Sequence, residues 1–310
     1  MRSTQVLLAA VALMLPAAVF GGIDDSDLPT ASVWYFHADF EEMRSTDGGK
    51  SLWNWLEKEV FAEIRQDTGV DLSKEADDIT AFAAEETGVV MIMRGDISRD
   101  TQDKALAAAA SAQRFETLKS GNKVFYYVQG DDGAERHNSS IEIDGMEDEF
   151  YFSFAVRNKL IVTSRREQME ELLGNGGKVA GNKSPSGALF VLTAERSLIQ
   201  AGMDADEIDS DEGGGFESNV LRNTKQVALL IADVAGQIAI EAQLITKEPE
   251  MAQSLAGIVR GLIGLAAISG DMDPEMVQIL QSTRVDVNDA SLKVSVTLSP
   301  QVVVSALEDA

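Results

Sequence analysis

Four groups of residues in this sequence have types and spacings suited to chemistry. The first is Gly48-Gly49-Lys50-Ser51, which follows a strand-like stretch and precedes a helical one. A phosphate-binding loop wraps phosphates in backbone N–H groups and needs a glycine five residues before its Gly-Lys-Ser. Arg44 stands there instead. Asp233, at the end of an apolar strand, has the placement of a magnesium-holding carboxylate, but its turn accounts for it without a nucleotide. The motif is a near miss, and a helix start is the simpler reading.

The second group is His37 with Asp39. Strand alternation puts Val33, Tyr35, His37 and Asp39 on one face and Trp34, Phe36, Ala38 and Phe40 on the other. A carboxylate beside an imidazole orients and polarises it, which suits a general base. No serine in a G-x-S-x-G turn accompanies the pair, so a strand-end histidine bonded to its surroundings explains it as well. His137, the other histidine, falls in an acidic loop.

The third group is Asp204, Asp206, Asp209 and Asp211, with Glu207 and Glu212 between and after them. Calcium takes six to eight oxygens from a shaped loop. No start in this stretch gives the EF-hand pattern, so weak calcium association is the most the spacing supports, and a solvated acidic loop is the plainer reading. No other cofactor is implied. The fourth is Trp55. A helix over Ser51 to Gln66 stacks Trp53, Leu56, Val60 and Ile64 along one stripe, with Leu52 and Phe61 at its edges. Trp55 points away from that stripe, either toward a partner or beneath a neighbouring segment.

The elements that must position these groups show an internal repeat. Ile79 to Ala84, Glu85-Glu86-Thr87-Gly88 and Val89 to Met93 read as a hairpin; so do Val227 to Ala232, Asp233-Val234-Ala235-Gly236 and Gln237 to Ala242. Ser98 and Thr246 lie equally far beyond the two glycines, placed to cap helices over 99 to 118 and 247 to 269. Both helices carry small residues on their packing side: Ala105, Ala108, Ala109 and Ala112 in one, Ala252, Ala256, Gly257, Gly261 and Gly264 in the other. The Gly257-x-x-x-Gly261 pair is a helix-dimer spacing, which Arg260 turns toward ordinary close packing. Each half then closes with a second hairpin, turning at Arg157-Asn158 and at Asn288-Asp289, and a helix opened by Ser164 or by Ser299-Pro300.

The predicted fold class is therefore α+β: two tandem copies of a β-α-β-β-α-β-β-α unit with antiparallel sheets and helices on one face. The first unit spans 22–176, a Gly/Asn/Lys/Ser linker 177–187, and the second unit 188–310. Acidic insertions, Gly130 to Glu149 and Met203 to Ser218, break the parallel and read as mobile surface loops.

Ahead of the units, Arg2, an apolar run from Val6 to Leu15 and the small residues to Gly21 have the layout of a signal peptide over 1–21. The run is too short for a membrane span. The chain is expected to be periplasmic or extracellular, with no span in the mature part. It has 26 basic and 51 acidic residues, a formal net charge of −25, so phosphate-bearing partners are repelled and nucleic acid is excluded as a partner. Without cysteine, thiol nucleophiles and zinc–thiolate sites are excluded, and the core alone must hold the fold.

Gly69-Val70-Asp71-Leu72, followed by Asp78-Ile79-Thr80, resembles the "G-V-D-L" segment before a strand in uncharacterised exported bacterial proteins with duplicated α+β units. The resemblance implies the fold and export, and attaches no activity. Function is expected to be non-enzymatic binding or scaffolding, with an unknown protein or small ligand held at or between the units. Two alternatives stay open: a calcium-dependent surface or assembly protein, and a carboxylate-dependent hydrolase.

Overall fold

The computed structural model describes residues 28–29, 32–84, 88–130, 149–179, 187–195, 220, 223–268 and 274–308. Residues 1–27, His137, the acidic stretch holding Asp204, Asp206, Asp209 and Asp211, and most of 177–187 beyond Lys178 and Val179 lie outside the described residues.

The first half runs β1 (Ser32–Asp39), α1 (Phe40–Ser45), α2 (Asp47–Leu56), a π-turn (Glu57–Phe61), α3 (Ala62–Thr68), β2 (Ala76–Ala84), β3 (Gly88–Gly95), α4 (Arg99–Ala109), β4 (Arg114–Ser120), β5 (Lys123–Gln129), β6 (Glu149–Ser153), β7 (Lys159–Thr163) and α5 (Arg166–Asn175). The second runs β8 (Ala188–Glu195), β9 (Thr224–Val234), β10 (Gln237–Thr246), α6 (Pro249–Ile268), α7 (Pro274–Ser282), β11 (Arg284–Asn288), β12 (Ser291–Leu298) and α8 (Pro300–Glu308).

All these strands join one antiparallel sheet of 12, in the order β11-β12-β10-β9-β8-β1-β2-β3-β7-β6-β5-β4. The sequence predicts separate sheets for the two halves. They fuse where β1 meets β8, with Tyr35 opposite Thr193 and His37 opposite Val191. Neither strand carries a proline or a charge in its middle, so each offers the other an apolar, unprotected edge. The outer edges are guarded: β4 carries Arg114, Glu116 and Lys119, and β11 carries Arg284 and Asp286. Outward from the seam, both halves lay down the opening strand, the two strands of the first hairpin, and then the closing hairpin in reverse. Gly88 (φ 76°) and Gly236 (φ 81°) both hold left-handed turn positions, as do Asn158 and Asp289.

Three further expectations about the helices need correction. The helix over 99 to 118 ends at Ala109, and Arg114–Ser120 is a strand with no counterpart among the described residues of the second half. After the alanines, Phe115 and Thr117 favour extended backbone, and the turn at Gly121 returns the chain as β5. The helix over Ser51 to Gln66 begins earlier, at Asp47, with Thr46 Oγ1 accepting from Gly49 N. Its π-turn inserts an extra residue per turn, so the buried stripe passes from Leu52 and Trp53 to Phe61 rather than to Val60.

The third correction concerns the faces. Tyr35, Phe82, Ile92, Ile161, Val191 and Leu230 pack with Met169, Leu172 and Leu173 of α5. Their strand neighbours Phe36, Ile79, Met93, Leu160, Phe190 and Ile231 pack on the opposite face with α1–α3 and α8, where α4 and α6 also lie. Helices therefore cover both faces. Ser164 does not cap α5; its Oγ accepts from Val89 N at 2.9 Å, which ties the chain to β3 as it turns over the sheet. Lys159 Nζ reaches Gly177 O at 2.5 Å and Lys123 Nζ reaches Leu173 O, two cations at the negative end of α5.

Candidate functional site

The G-V-D-L segment builds one wall of a cavity. Gly69, at φ 70°, closes α3 with its N–H on Arg65 O. Asp71 then folds the next residues into a turn, accepting from Ser73 N at 3.2 Å and Ser73 Oγ at 2.7 Å. Val70 and Leu72, on either side of Asp71, point inward and join Ile64 in the wall.

Glu75 fixes the start of the roof. Its Oε2 accepts from Ser98 N at 2.9 Å and its Oε1 from Thr101 Oγ1 at 3.0 Å, while Ser98 Oγ accepts from Thr101 N. Ser98 is the expected helix cap; Thr246 is not, since its hydroxyl donates to Glu248 O and Ala290 O. From this anchor α4 crosses over the sheet with Thr101, Ala105, Ala108 and Ala109 toward the strands.

Below lie Met93, Val128, Leu160 and Val162, with Phe150, Phe152 and Phe154 along β6 and just past its end. The aromatic wall continues sideways: Tyr126 lies 5.1 Å from Phe152, and Phe115 stacks on Tyr126 at 5.6 Å. Read from the sequence, the alanines of α4 are a close-packing face. In the structure a roof of methyl groups faces a floor of large rings, and an apolar cavity of about 430 Å³ remains between them. The signal was in the sequence as a mismatch of volume: the helix side chains are too small to fill the height set by alternating phenylalanines.

The chemistry of the lining is simple. Among the described residues only Thr101 and Ser111 bring side-chain polar atoms, and both are engaged, Thr101 with Glu75 and Ser111 Oγ with Ala108 O at 2.6 Å. No charged group among the described residues lines the space. A polar guest would lose its water hydrogen bonds without replacement, whereas an apolar one gains roughly 25 cal/mol per Å² removed from water. The volume lies within the usual range of about 300–1,000 Å³ for small-molecule sites.

The residues singled out in the sequence lie elsewhere. His37 is buried in β1, its Nδ1 2.9 Å from Thr80 Oγ1. Burial holds its pKa below the usual 6.5; Asp78 and Asp39 push it back up, and Arg94 pushes it down. Asp78 is itself buried and paired with Arg94, Oδ2 to Nη2 at 2.6 Å. Asp39 caps α1, its Oδ1 accepting from Glu42 N at 2.8 Å. His37 and Asp39 share a face, but each is bonded to a different partner.

The structure does bring together Gly48 and Asp233. Gly48 N donates to Asp233 Oδ2 at 2.7 Å, and a methyl on Gly48 would sit 2.5 Å from that oxygen. The carboxylate already fills the anion position at the start of α2, where a phosphate would have to sit. Trp55 is half-buried in a groove between α2 and the C-terminal helix, facing Val304, Gln301 and Ser305 of α8. Among the described residues no three metal-ligating side chains converge.

Among the described helices none is long and apolar enough to cross a membrane. No protein family's sequence model matches the chain, and no curated protein matches it. Solved structures of TP0453 are similar: crystal form III at 9% identity and a TM-score of 0.47 over 94% of this chain and 100% of that one, and crystal form IV at 9% and 0.48 over 94% and 98%. Crystal form I stands at 8% identity and 0.41, over 93% of this chain and 98% of its own.

Proposed function

We propose that this chain is an exported, non-enzymatic binding protein that holds an apolar small molecule between α4 and the sheet. The carrying observation is the cavity beneath Ala105, Ala108 and Ala109, lined by hydrocarbon and ring surface with every side-chain polar atom already bonded. Among the described residues no acid or base faces the space and its two hydroxyls are already bonded, so binding rather than turnover suits it. Export rests on the leader-like start of the sequence, and the strongly acidic composition suits solubility outside the cytoplasm. We read the two halves as duplicates of one unit on the strength of their matching strand order and their paired glycine turns. Among the described residues only the first half carries the extra hairpin β4–β5, and with it the aromatic wall of the cavity.

Filling the cavity from above tests the reading. The double variant A105L/A109L puts branched side chains into the empty height. It is expected to lose binding of N-phenyl-1-naphthylamine, an uncharged apolar dye, by at least about tenfold. The added burial raises the melting temperature, by roughly 1–2 kcal/mol of extra stability. Single variants at either position, half as intrusive, guard against overpacking. Dye affinity unchanged in folded variants, or no dye uptake by the parent chain, would overturn the proposal.

A further inference from the structure

Among the described residues nothing covers one side of helix α6. Ala252, Leu255 and Ala256 are buried against Leu244, Leu292 and Val294 of the sheet. On the other side Ile258, Leu262 and Leu265 are 40%, 60% and 69% exposed, three of the five large exposed hydrophobics among the described residues. They form a ridge at i, i+4 and i+7. Gly257, Gly261 and Gly264 repeat the same spacing beside it, and a methyl on any of them would meet nothing within 4 Å. The close packing that the sequence suggests for these glycines is therefore not used among the described residues. A ridge of leucine and isoleucine runs next to an open furrow of glycine.

The charge around this face selects its occupant. Between Glu250 and Asp271 no acidic residue occurs, in a chain of net charge −25. The single charged side chain there, Arg260, is turned to the sheet, its Nη2 on Val285 O at 2.6 Å. Two copies of so acidic a chain repel each other at most approaches. Beyond its first turn, α6 lets them meet without bringing acids together. A basic partner, by contrast, would seek the acids elsewhere.

We propose that α6 is the seam through which two copies of this chain pair about a two-fold axis running along the helices. In that parallel arrangement the ridge of one copy enters the furrow of the other, and the glycines let the backbones approach closely. An antiparallel pair would set ridge against ridge. One helix pair makes an interface at the small end of the biological range, so pairing depends on concentration.

The absence of cysteine makes single-cysteine cross-linking unambiguous. Under mild oxidation G261C and S254C, both on the uncovered side, are each expected to give disulfide-linked dimers, while T117C on the exposed edge strand β4 gives none. Sedimentation equilibrium up to about 100 µM should show dimer for the parent chain and monomer for L262D/L265D, with circular dichroism unchanged, and melting temperature unchanged at dilutions where the parent is monomeric, because both leucines are exposed in the single chain. A monomeric parent, or a double variant that still pairs, overturns the proposal. Cross-linking at G261C but not at S254C overturns the parallel arrangement. A monomeric parent that floats with neutral phosphatidylcholine vesicles, and stops doing so in L262D/L265D, assigns the face to a lipid surface instead.

Discussion

The carboxylate of Asp233, in the turn between β9 and β10, accepts the backbone N–H of Gly48 at 2.7 Å and that of Gly236 at 3.0 Å. One side chain of the second half thus terminates a helix of the first and closes its own hairpin. Helix starts leave N–H groups without partners, and an acidic side chain satisfies them and complements the helix dipole.

Asp233→Ala should therefore leave two N–H groups unmet and cost about 1–2 kcal/mol. Asp233→Asn, which keeps one accepting oxygen, should recover part of that. Urea unfolding reads the loss as a lower midpoint at unchanged slope. Because the carboxylate occupies the anion position, isothermal titration of the parent chain with ATP and magnesium should show no binding heat.

His37 gives a pH signature. Its pKa is held below 6.5 in the folded chain, by burial first, and returns to the ordinary value on unfolding. Below pH 6.5 the unfolded chain takes up the proton before the folded one does. The contribution is whole above pH 6.5 and is lost as pH falls through the folded value. Between pH 7 and about 5, His37→Asn, whose amide nitrogen stands where Nδ1 did beside Thr80, should show a flatter fall in melting temperature than the parent. Parallel curves would rule out His37 as the source.

Glu241 and Lys293 form an ion pair across β10 and β12 at 2.8 Å, with the Glu241 side chain 5% exposed. Lys293→Met strands a buried carboxylate and should cost about 3 kcal/mol, whereas the double variant E241L/K293M should return to within about 1 kcal/mol of the parent. The double-variant cycle in urea checks this. A double-variant loss equal to the sum of the two single losses would mean that the pair is not coupled.

Gly95 ends β3 at φ 152°, where an added methyl would lie 1.8 Å from Glu75 O. That oxygen belongs to backbone and has no room to retreat. Gly95→Ala should cost at least about 3 kcal/mol. It should also displace Glu75, which anchors α4, so dye uptake by the cavity should fall with it. A variant of parental stability would mean that the bulge between β2 and β3 relaxes freely.

Local chemistry was legible where a residue acts on its chain neighbours. The turns at Gly88, Gly236, Asn158 and Asp289, the cap at Ser98, and the alternation of Tyr35 and Phe36 about β1 all depend on short-range backbone geometry, and the sequence states that directly. Ser164 shows the limit. Its spacing to Glu167 fits a capping box, but Val89 N lies within reach once the strands pair, and a strand N–H competes for the same oxygen.

The sequence by itself determined an acidic, cysteine-free α+β chain with a repeated strand plan, because composition, periodicity and turn residues are local properties. Only the tertiary structure decided that β1 and β8 fuse two sheets into one, that α5 crosses to the opposite face, and that the alanines of α4 roof a cavity instead of closing on the strands. Each of these depends on a distance between segments far apart in the chain: an edge that finds another edge, a hydroxyl that finds a distant N–H, a helix held away from the strands by phenylalanines on β6. No spacing along the chain encodes such distances.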